Sequence, residues 1–253
     1  MRPQTSHPLK TRHRVCDGTL VIDLGRARRV LSSAPCGGGL RSARFIINHQ
    51  VEAGTGSSVS RVETEASGKT WQADPSVSLR AVAAQLGLRG PLVGLMTAVP
   101  MKQLVARHLR TGRLWVECFA TVGVTNAVRA GEPLDAAAAS DEAHNAGTIN
   151  IIVVTNAALA SSAMVGAIQV VTESKTGVLR DRAVSCWTGR PGATGTGTDA
   201  VVMVCAHRGE GPWQRYSGMH TGIGTMIGQV VADCVRQGLD RASRWAARAG
   251  GQP

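Results

Sequence analysis

Aromatic residues are nearly missing from this chain. Phe, Trp and Tyr make up 3% of 253 residues, with a single Tyr and two Phe. A chain of this length buries a sizeable core, so that core must be built from Val, Ile, Leu and Ala. Paired cysteines are lacking too. Cys16, Cys36, Cys118, Cys186, Cys205 and Cys234 are spread out with no C-x-x-C spacing; Cys118 and Cys205 lie inside apolar runs and read as small core residues. No apolar run is long enough to span a bilayer. Residues 1 to 18 are polar and basic with no apolar h-region, so the expected compartment is cytoplasmic. Acidic residues are few, 17 against 28 Lys+Arg, for a formal charge of +11. Such a balance can serve nucleic acid, but zinc-finger spacing and an aromatic RNA-binding motif are absent. The excess reads as a solvated, arginine-biased surface, with no nucleic acid as partner.

Several catalytic signatures are absent as well. There is no G-x-S-x-G elbow, no H-E-x-x-H and no Walker A loop. His49, His108, His144 and His207 are scattered, so no metal site is expected. Gly222, Gly224 and Gly228 miss the dinucleotide fingerprint by one position, and no strand leads directly into them.

The chain does contain alternating apolar elements whose ends carry Thr, Gly, Asn and acids. Residues 1 to 18 are expected to be a basic flexible tail, and 19 to 248 a single domain. Thr19 to Leu24 and Arg28 to Ser33 read as strands joined by a turn at Gly25. Leu40 to Val51 reads as a short helix, since Ala43, Ile46, Ile47 and Val51 share a face. Gly54 to Ser60 and Glu63 to Gln72 are loop-like, and a helix capped by Ser76 stops at Gly87 or Gly90. Leu92 to Val99 is a strand, Met101 to Leu109 suits strand or helix, and Leu114 to Val122 is a strand. Residues 130 to 146 read as a surface insertion. Gly147 to Val154 is a strand, Ala158 to Asp181 a helix packed between layers, Ala200 to Cys205 a strand, and the last helix starts near Thr221. Hairpin-length connections argue against a doubly wound parallel sheet. The fold class is α+β, a mixed sheet of about six or seven strands with helices on its faces.

The candidate site residues lie at the element ends. The glycine loop Thr194-Gly-Thr-Gly-Thr-Asp199 offers backbone N–H groups from Gly197 and its threonines, Thr196 and Thr198, to a ligand oxygen. Its bland alternative is a tight connection. Asp199 is either a base, a ligand for a substrate N–H or a turn acid. His220 precedes a helix start, where the dipole favours a neutral imidazole, or it is an exposed loop histidine. Glu173 and Lys175 sit on the packed helix. Asn126 and Asn150 offer paired donors and acceptors.

Taken in order, Val30-Leu-Ser-Ser-Ala-Pro35 with Gly38-Gly39, Gly94-Leu-Met-Thr-Ala98, Thr121-Val-Gly-Val-Thr-Asn-Ala127, Gly147-Thr-Ile-Asn-Ile151, Thr172-Glu-Ser-Lys-Thr176, the glycine loop and His220-Thr-Gly-Ile-Gly224 resemble the adenosylcobinamide amidohydrolases of corrinoid salvage. The resemblance covers about Val30 to Val235. Ser174 stands where Thr-Glu-Ala-Lys is expected, leaving Glu173 and Lys175 in place. It implies hydrolysis of the amide between the corrin ring and the aminopropanol arm, giving adenosylcobyric acid. It also implies a corrinoid substrate that carries its own cobalt and no further cofactor. A homo-oligomer is compatible with it, and the alternative is a non-catalytic corrinoid-binding protein. Amide hydrolysis needs an attacking group, a base and donors for the oxyanion. Glu173, Asp199 or His220 can take a proton from water, Lys175 can hold an oxyanion or tune the base, and the amides of the glycine loop or of the Thr221 helix start can form the hole.

The threonine-glycine loop also invites self-cleavage to expose an N-terminal threonine. Asp199 and His220 already supply bases without processing, so the active protein is expected to be one uncut chain of 26.4 kDa. Intact-mass measurement checks this; two fragments meeting near residue 195 or 197 would show processing.

Overall fold

Two stretches are buried along almost their whole length, Leu114–Val122 and Ile149–Leu159. A strand with no solvent-facing side must be covered on both faces, and that requirement organises the molecule. The computed structural model describes residues 10–51, 74–132 and 147–249. In chain order its elements are β1 (Arg12–Cys16), β2 (Thr19–Ser32), β3 (Gly39–Gln50), α1 (Pro75–Gln85), β4 (Leu92–Thr97), a 3-10 turn at Met101–Gln103, β5 (Val105–Thr111), β6 (Leu114–Val122), β7 (Ala127–Val128), β8 (Ile149–Leu159), α2 (Ser161–Asp181), β9 (Gly195–Thr196), β10 (Ala200–Ala206), β11 (Trp213–Gln214) and α3 (Gly222–Ala249). The loops expected at 54–60 and 63–72, and most of the insertion expected at 130–146, lie outside the described residues.

The main sheet has nine strands, more than the six or seven expected, in the order β4-β3-β2-β10-β8-β6-β5, with β1 on β2 and β11 on β8. It is mixed: β8 and β10 are parallel, as are β3 and β4, while β2 runs antiparallel to both β3 and β10. The sheet curls until distant strands meet. Asn48 on β3 donates to Thr121 on β6 at 3.0 Å, and Asn150 on β8 donates to the Met96 carbonyl of β4 at 2.7 Å. The inside of the curl is one core, including Leu20, Ile22, Ile46, Leu95, Phe119, Ile152 and Val202. On the outside, α2 and α3 bury Met164, Val171, Ile227 and Val231 against Ile151, Val153 and Met203. α1 places Leu79 and Ala83 over Ile47. Fully burying each such large side chain contributes about 1.5–3 kcal/mol, so alternate residues of the central strands stabilise two layers at once. The α+β class therefore stands. Among the described residues, no helix is long and apolar enough to cross a membrane.

Three expectations need correction. Leu40 to Val51 is strand β3, not a helix. Phe45, Ile46 and Ile47 are consecutive and all buried; a doubly covered strand produces such a run, and the helical spacing of Ala43, Ile46 and Val51 is incidental. Thr19 to Ser32 is one long strand, not two. Gly25 has φ 76°, its N–H bonds Asp23 Oδ1 at 2.8 Å, and the pairing with β3 shifts between Asp23 and Arg28; this is a bulge within a strand. The helix expected to start at Ser76 is capped by Asp74, whose side chain accepts from Ser76 N.

Residues 12 to 16, assigned to the flexible tail, form β1 and pair residue by residue with β2. Just before it, the amides of Lys10 and Thr11 donate to the carboxylate of Glu117. Glu117 is fully buried inside the curl, where His108 Nδ1 also donates to it at 3.1 Å. Removing donors from a buried carboxylate costs more than losing an ordinary hydrogen bond. Deleting residues 2 to 16 should therefore destabilise the protein by roughly 2–4 kcal/mol, lowering Tm by roughly 5–15 °C. An unchanged melting temperature would return this segment to the status of a tail.

Candidate functional site

α2 carries one long basic side chain on its buried stripe. Lys175 lies one turn beyond Val171 and close to the Val178 face, and its side chain is 9% exposed. A buried ammonium requires a counter-charge, and the loop from β9 to β10 supplies it. Lys175 Nζ donates to Asp199 Oδ2, and Asp199 is itself only 14% exposed. The same carboxylate accepts from Thr196 N at 3.1 Å, from Ile149 N at 3.0 Å and from the Thr196 hydroxyl. Four donors occupy the approximately four acceptor positions of a carboxylate. The backbone is shaped around the pair: a Cβ at Gly195 would lie 2.6 Å from Lys175 Nζ and collide with Asp199 Oδ2. Glycine there lets the two side chains meet without displacement.

The loop is tied down on all sides. Thr194 N donates to the Val128 carbonyl at 2.9 Å, Thr194 Oγ1 accepts from Ala130 N at 2.8 Å, and Thr176 Oγ1 donates to the Thr194 carbonyl at 3.0 Å. Thr148 Oγ1 donates to the Thr198 carbonyl at 2.9 Å. Gly197 and Thr198 form the exposed tip. Beside it, Gly147 packs so closely that a Cβ would lie 2.7 Å from Asn126 Oδ1. That Oδ1 is buried and has no hydrogen-bond partner among the described residues. An open cleft of about 460 Å³ begins at Gly123 and Thr125 and extends to the last turns of α3. It adjoins the loop through the Gly123 N to Thr148 O bond of 3.0 Å.

The structure thus brings together Lys175, Asp199, Thr196, Gly197 and Thr198, with Asn126 next to them. Asn150 stands at the same end of the sheet, but its side chain points into the curl. There it donates to Asn48 Oδ1 at 3.0 Å as well as to Met96, and serves to close the sheet. Glu173 is exposed; two residues along a helix is a rotation of about 200°, so it faces away from Lys175 into solvent. The expectation that Glu173 shares the packed face is corrected. His220 and Thr221 lie elsewhere. Ser217, just before them, donates to the Ala163 carbonyl near the start of α2, whereas Ser174, beside Lys175, bonds Gly228 of α3. Thr221 is thus about two turns, roughly 10 Å, from the level of Lys175 along the α3 axis. Its hydroxyl accepts from Gly224 N at 3.0 Å, the bond of a helix N-cap. Gly224 must be small because a Cβ would strike the carbonyls of Ser217 and Gly218. His220 is exposed beside this cap. Sequence reasoning missed Asn48 and Thr121, hidden within apolar strands, the Ile149 amide, which has no side-chain signature, and the cleft.

The family model described as adenosylcobinamide amidohydrolase matches residues 3–247. The chain belongs to that family. Adenosylcobinamide amidohydrolases of Methanosarcina mazei and Halobacterium salinarum are 30% and 32% identical over 175 and 176 residues, covering 66% and 67% of this chain and 75% and 69% of theirs. An uncharacterized Methanocaldococcus jannaschii protein is 28% identical over 239 residues, covering 87% of this chain and 85% of its own. A crystal structure of a Pyrococcus horikoshii protein covers 91% of this chain and 78% of that one at 10% identity, with a TM-score of 0.41; a likeness that slight carries no argument.

Within this amidohydrolase-family chain the buried pair makes a stability claim that is separate from chemistry. Removing one partner of a buried ion pair leaves the other uncompensated, at about 3–5 kcal/mol. Asp199→Asn should therefore lower stability by about that amount in denaturant titration, while Glu173→Gln should change it by less than about 0.5 kcal/mol. Equal stabilities for the two variants would show that Lys175 does not depend on Asp199.

Proposed function

We propose that this chain hydrolyses the amide joining the aminopropanol arm to the corrin ring of adenosylcobinamide, releasing adenosylcobyric acid and aminopropanol. The observation that carries the reading is the Lys175–Asp199–Thr196 unit, assembled around Gly195 within a chain of the amidohydrolase family. Burying a lysine and an aspartate beside an exposed glycine loop is costly for a structural turn. It suits a site that must hold charge and move a proton.

Each group has a role that follows from its bonds. Asp199 has no lone pair left for water, so it acts through Thr196, whose hydroxyl proton already points at Oδ1. Water adds to the amide carbonyl carbon, its proton passes to Thr196 Oγ1, and the Thr196 proton passes to Asp199. Lys175 balances the charge of the carboxylate. The N–H groups of Gly197 and Thr198, at the exposed tip, stand where an oxyanion can be held. When the C–N bond breaks, the departing nitrogen takes the proton back along the same path. Apart from the attacking water, every step uses side-chain and backbone groups of this protein, and the cobalt remains part of the substrate. Among the described residues, no group of three His, Cys, Asp or Glu is placed to hold a metal ion.

Incubation with adenosylcobinamide should yield adenosylcobyric acid by mass spectrometry, with activity retained after chelator treatment. Thr196→Val and Lys175→Met should each lower kcat by roughly 10²-fold or more, and Glu173→Gln and His220→Ala by less than threefold. Bound corrinoid without product would make the chain a binding protein. Loss on chelation with rescue by zinc would place a metal in the reaction, and normal turnover of Thr196→Val would remove the proton path.

A further inference from the structure

We infer that the cleft between the β4–β5 turn and the last turns of α3 seats an edge of the corrin macrocycle, with Trp245 as its platform. This inference rests on the proposed function, because it is the chemistry of that substrate that the cleft is matched against. A corrin is a broad, nearly flat ring whose faces are apolar and whose rim bears amide arms. It needs an apolar slot with polar groups at the mouth, positioned so that one arm reaches the hydrolytic loop.

The cleft meets each requirement. Its walls are apolar, formed by Val99 after β4, Val122 and Val124 at the end of β6, and Leu239 on α3. Its volume of about 460 Å³ falls within the usual range for small-molecule sites, roughly 300–1,000 Å³. That is room for part of the ring, with the remainder outside. Trp245 lines the slot and is 44% exposed. Lys102 sits over its ring at 3.6 Å from the centroid, a cation–π contact that fixes the indole. Polar groups of the lining are the buried residue Gln103 and the half-exposed Arg182–Asp240 ion pair of 2.9 Å, donors and acceptors for amide arms.

The slot is also placed to serve the loop. One end of it is Gly123 and Thr125, the turn that carries Asn126. Asn126 itself does not line the cleft: its buried Oδ1, without a hydrogen-bond partner among the described residues, packs against Gly147, whose carbonyl accepts from Thr198 at the loop's tip at 3.4 Å. A ring edge in the slot thus directs an amide arm past Asn126 toward Thr196. The exposed aromatic group at the opposite end of the molecule, Trp213 and Tyr216, has no such continuity with the loop.

The test is equilibrium dialysis with cobinamide, a readout that does not depend on turnover. Trp245→Ala, which removes the platform, and Ser243→Trp, which fills the slot, should each weaken binding at least tenfold. Tyr216→Ala at the far end should change it less than twofold. Equal affinity in all four proteins, or loss in Tyr216→Ala alone, would overturn the assignment. Should Ser243→Trp fail to fold, Trp245→Ala carries the test, since its side chain is largely outside the core. In turnover assays the slot variants should raise KM while kcat changes less than threefold, the opposite of Thr196→Val. A wild-type protein that binds cobinamide in the slot but forms no product would sink the hydrolytic reading and leave this one standing. Hydrolysis that persists with unaltered KM in both slot variants would do the reverse.

Discussion

A buried ammonium on a helix packed against a sheet is the constraint from which the candidate site follows. Lys175 cannot reach bulk water without abandoning the α2 stripe that buries Met164 and Val171, so its counter-charge must come to it. Asp199 does so at the start of β10, and the parallel pairing of β10 with β8 then brings the Ile149 amide onto the same carboxylate. The β9 residues close the circle through Thr196, and Gly195 leaves the space. Sheet register, which follows the apolar pattern, helix face and loop conformation thus meet at one pair of charges, which gives the loop its fixed shape despite an exposed tip.

How much of this was legible depends on whether the information was local. The strand Leu114–Val122 was readable to the residue, because its β-branched and apolar run is bounded by Gly112 and Gly123. α2 and α3 were readable from their periodicity, and Asp199 and Lys175 from their odd positions at element ends. β3 was misread because double burial erases the alternation that marks a strand. The curl of the sheet was invisible, since Asn48, Thr121 and Asn150 are far apart in sequence and each looks like a polar interruption of an apolar run. Glu173 was kept with Lys175 because apolar or small residues on both sides of α2 suggest a helix packed between layers, whereas α2 is covered on one side and leaves Glu173 in solvent.

The two T-G-x-G-T turns show why composition alone could not rank the candidates. At Thr194 to Thr198 the first glycine makes room for side-chain charges. At Thr221 to Thr225 the second glycine makes room for carbonyls of the preceding loop, and the leading threonine caps a helix. The strings are alike, yet the first turn leaves a hydroxyl on a carboxylate beside an open tip and the second uses its hydroxyl to begin α3. A hydrogen-bond inventory separates them, and no pattern in the sequence does.

The arginine-rich end of the chain is part of the same construction. α3 begins at the far end of the sheet and runs parallel to α2, so its last turns arrive at the end where β6 and β8 meet the loop. Arg241 donates to the Leu104 carbonyl and Arg182 pairs with Asp240, which anchors those turns over the 3-10 turn and the end of α2. Two cations of the arginine-biased surface are therefore structural clamps, and one of them, Arg182, also lines the cleft. The excess of basic residues is better understood residue by residue than as a net charge: a guanidinium that bonds a backbone carbonyl keeps its charge but spends part of its five-donor fork on holding the fold.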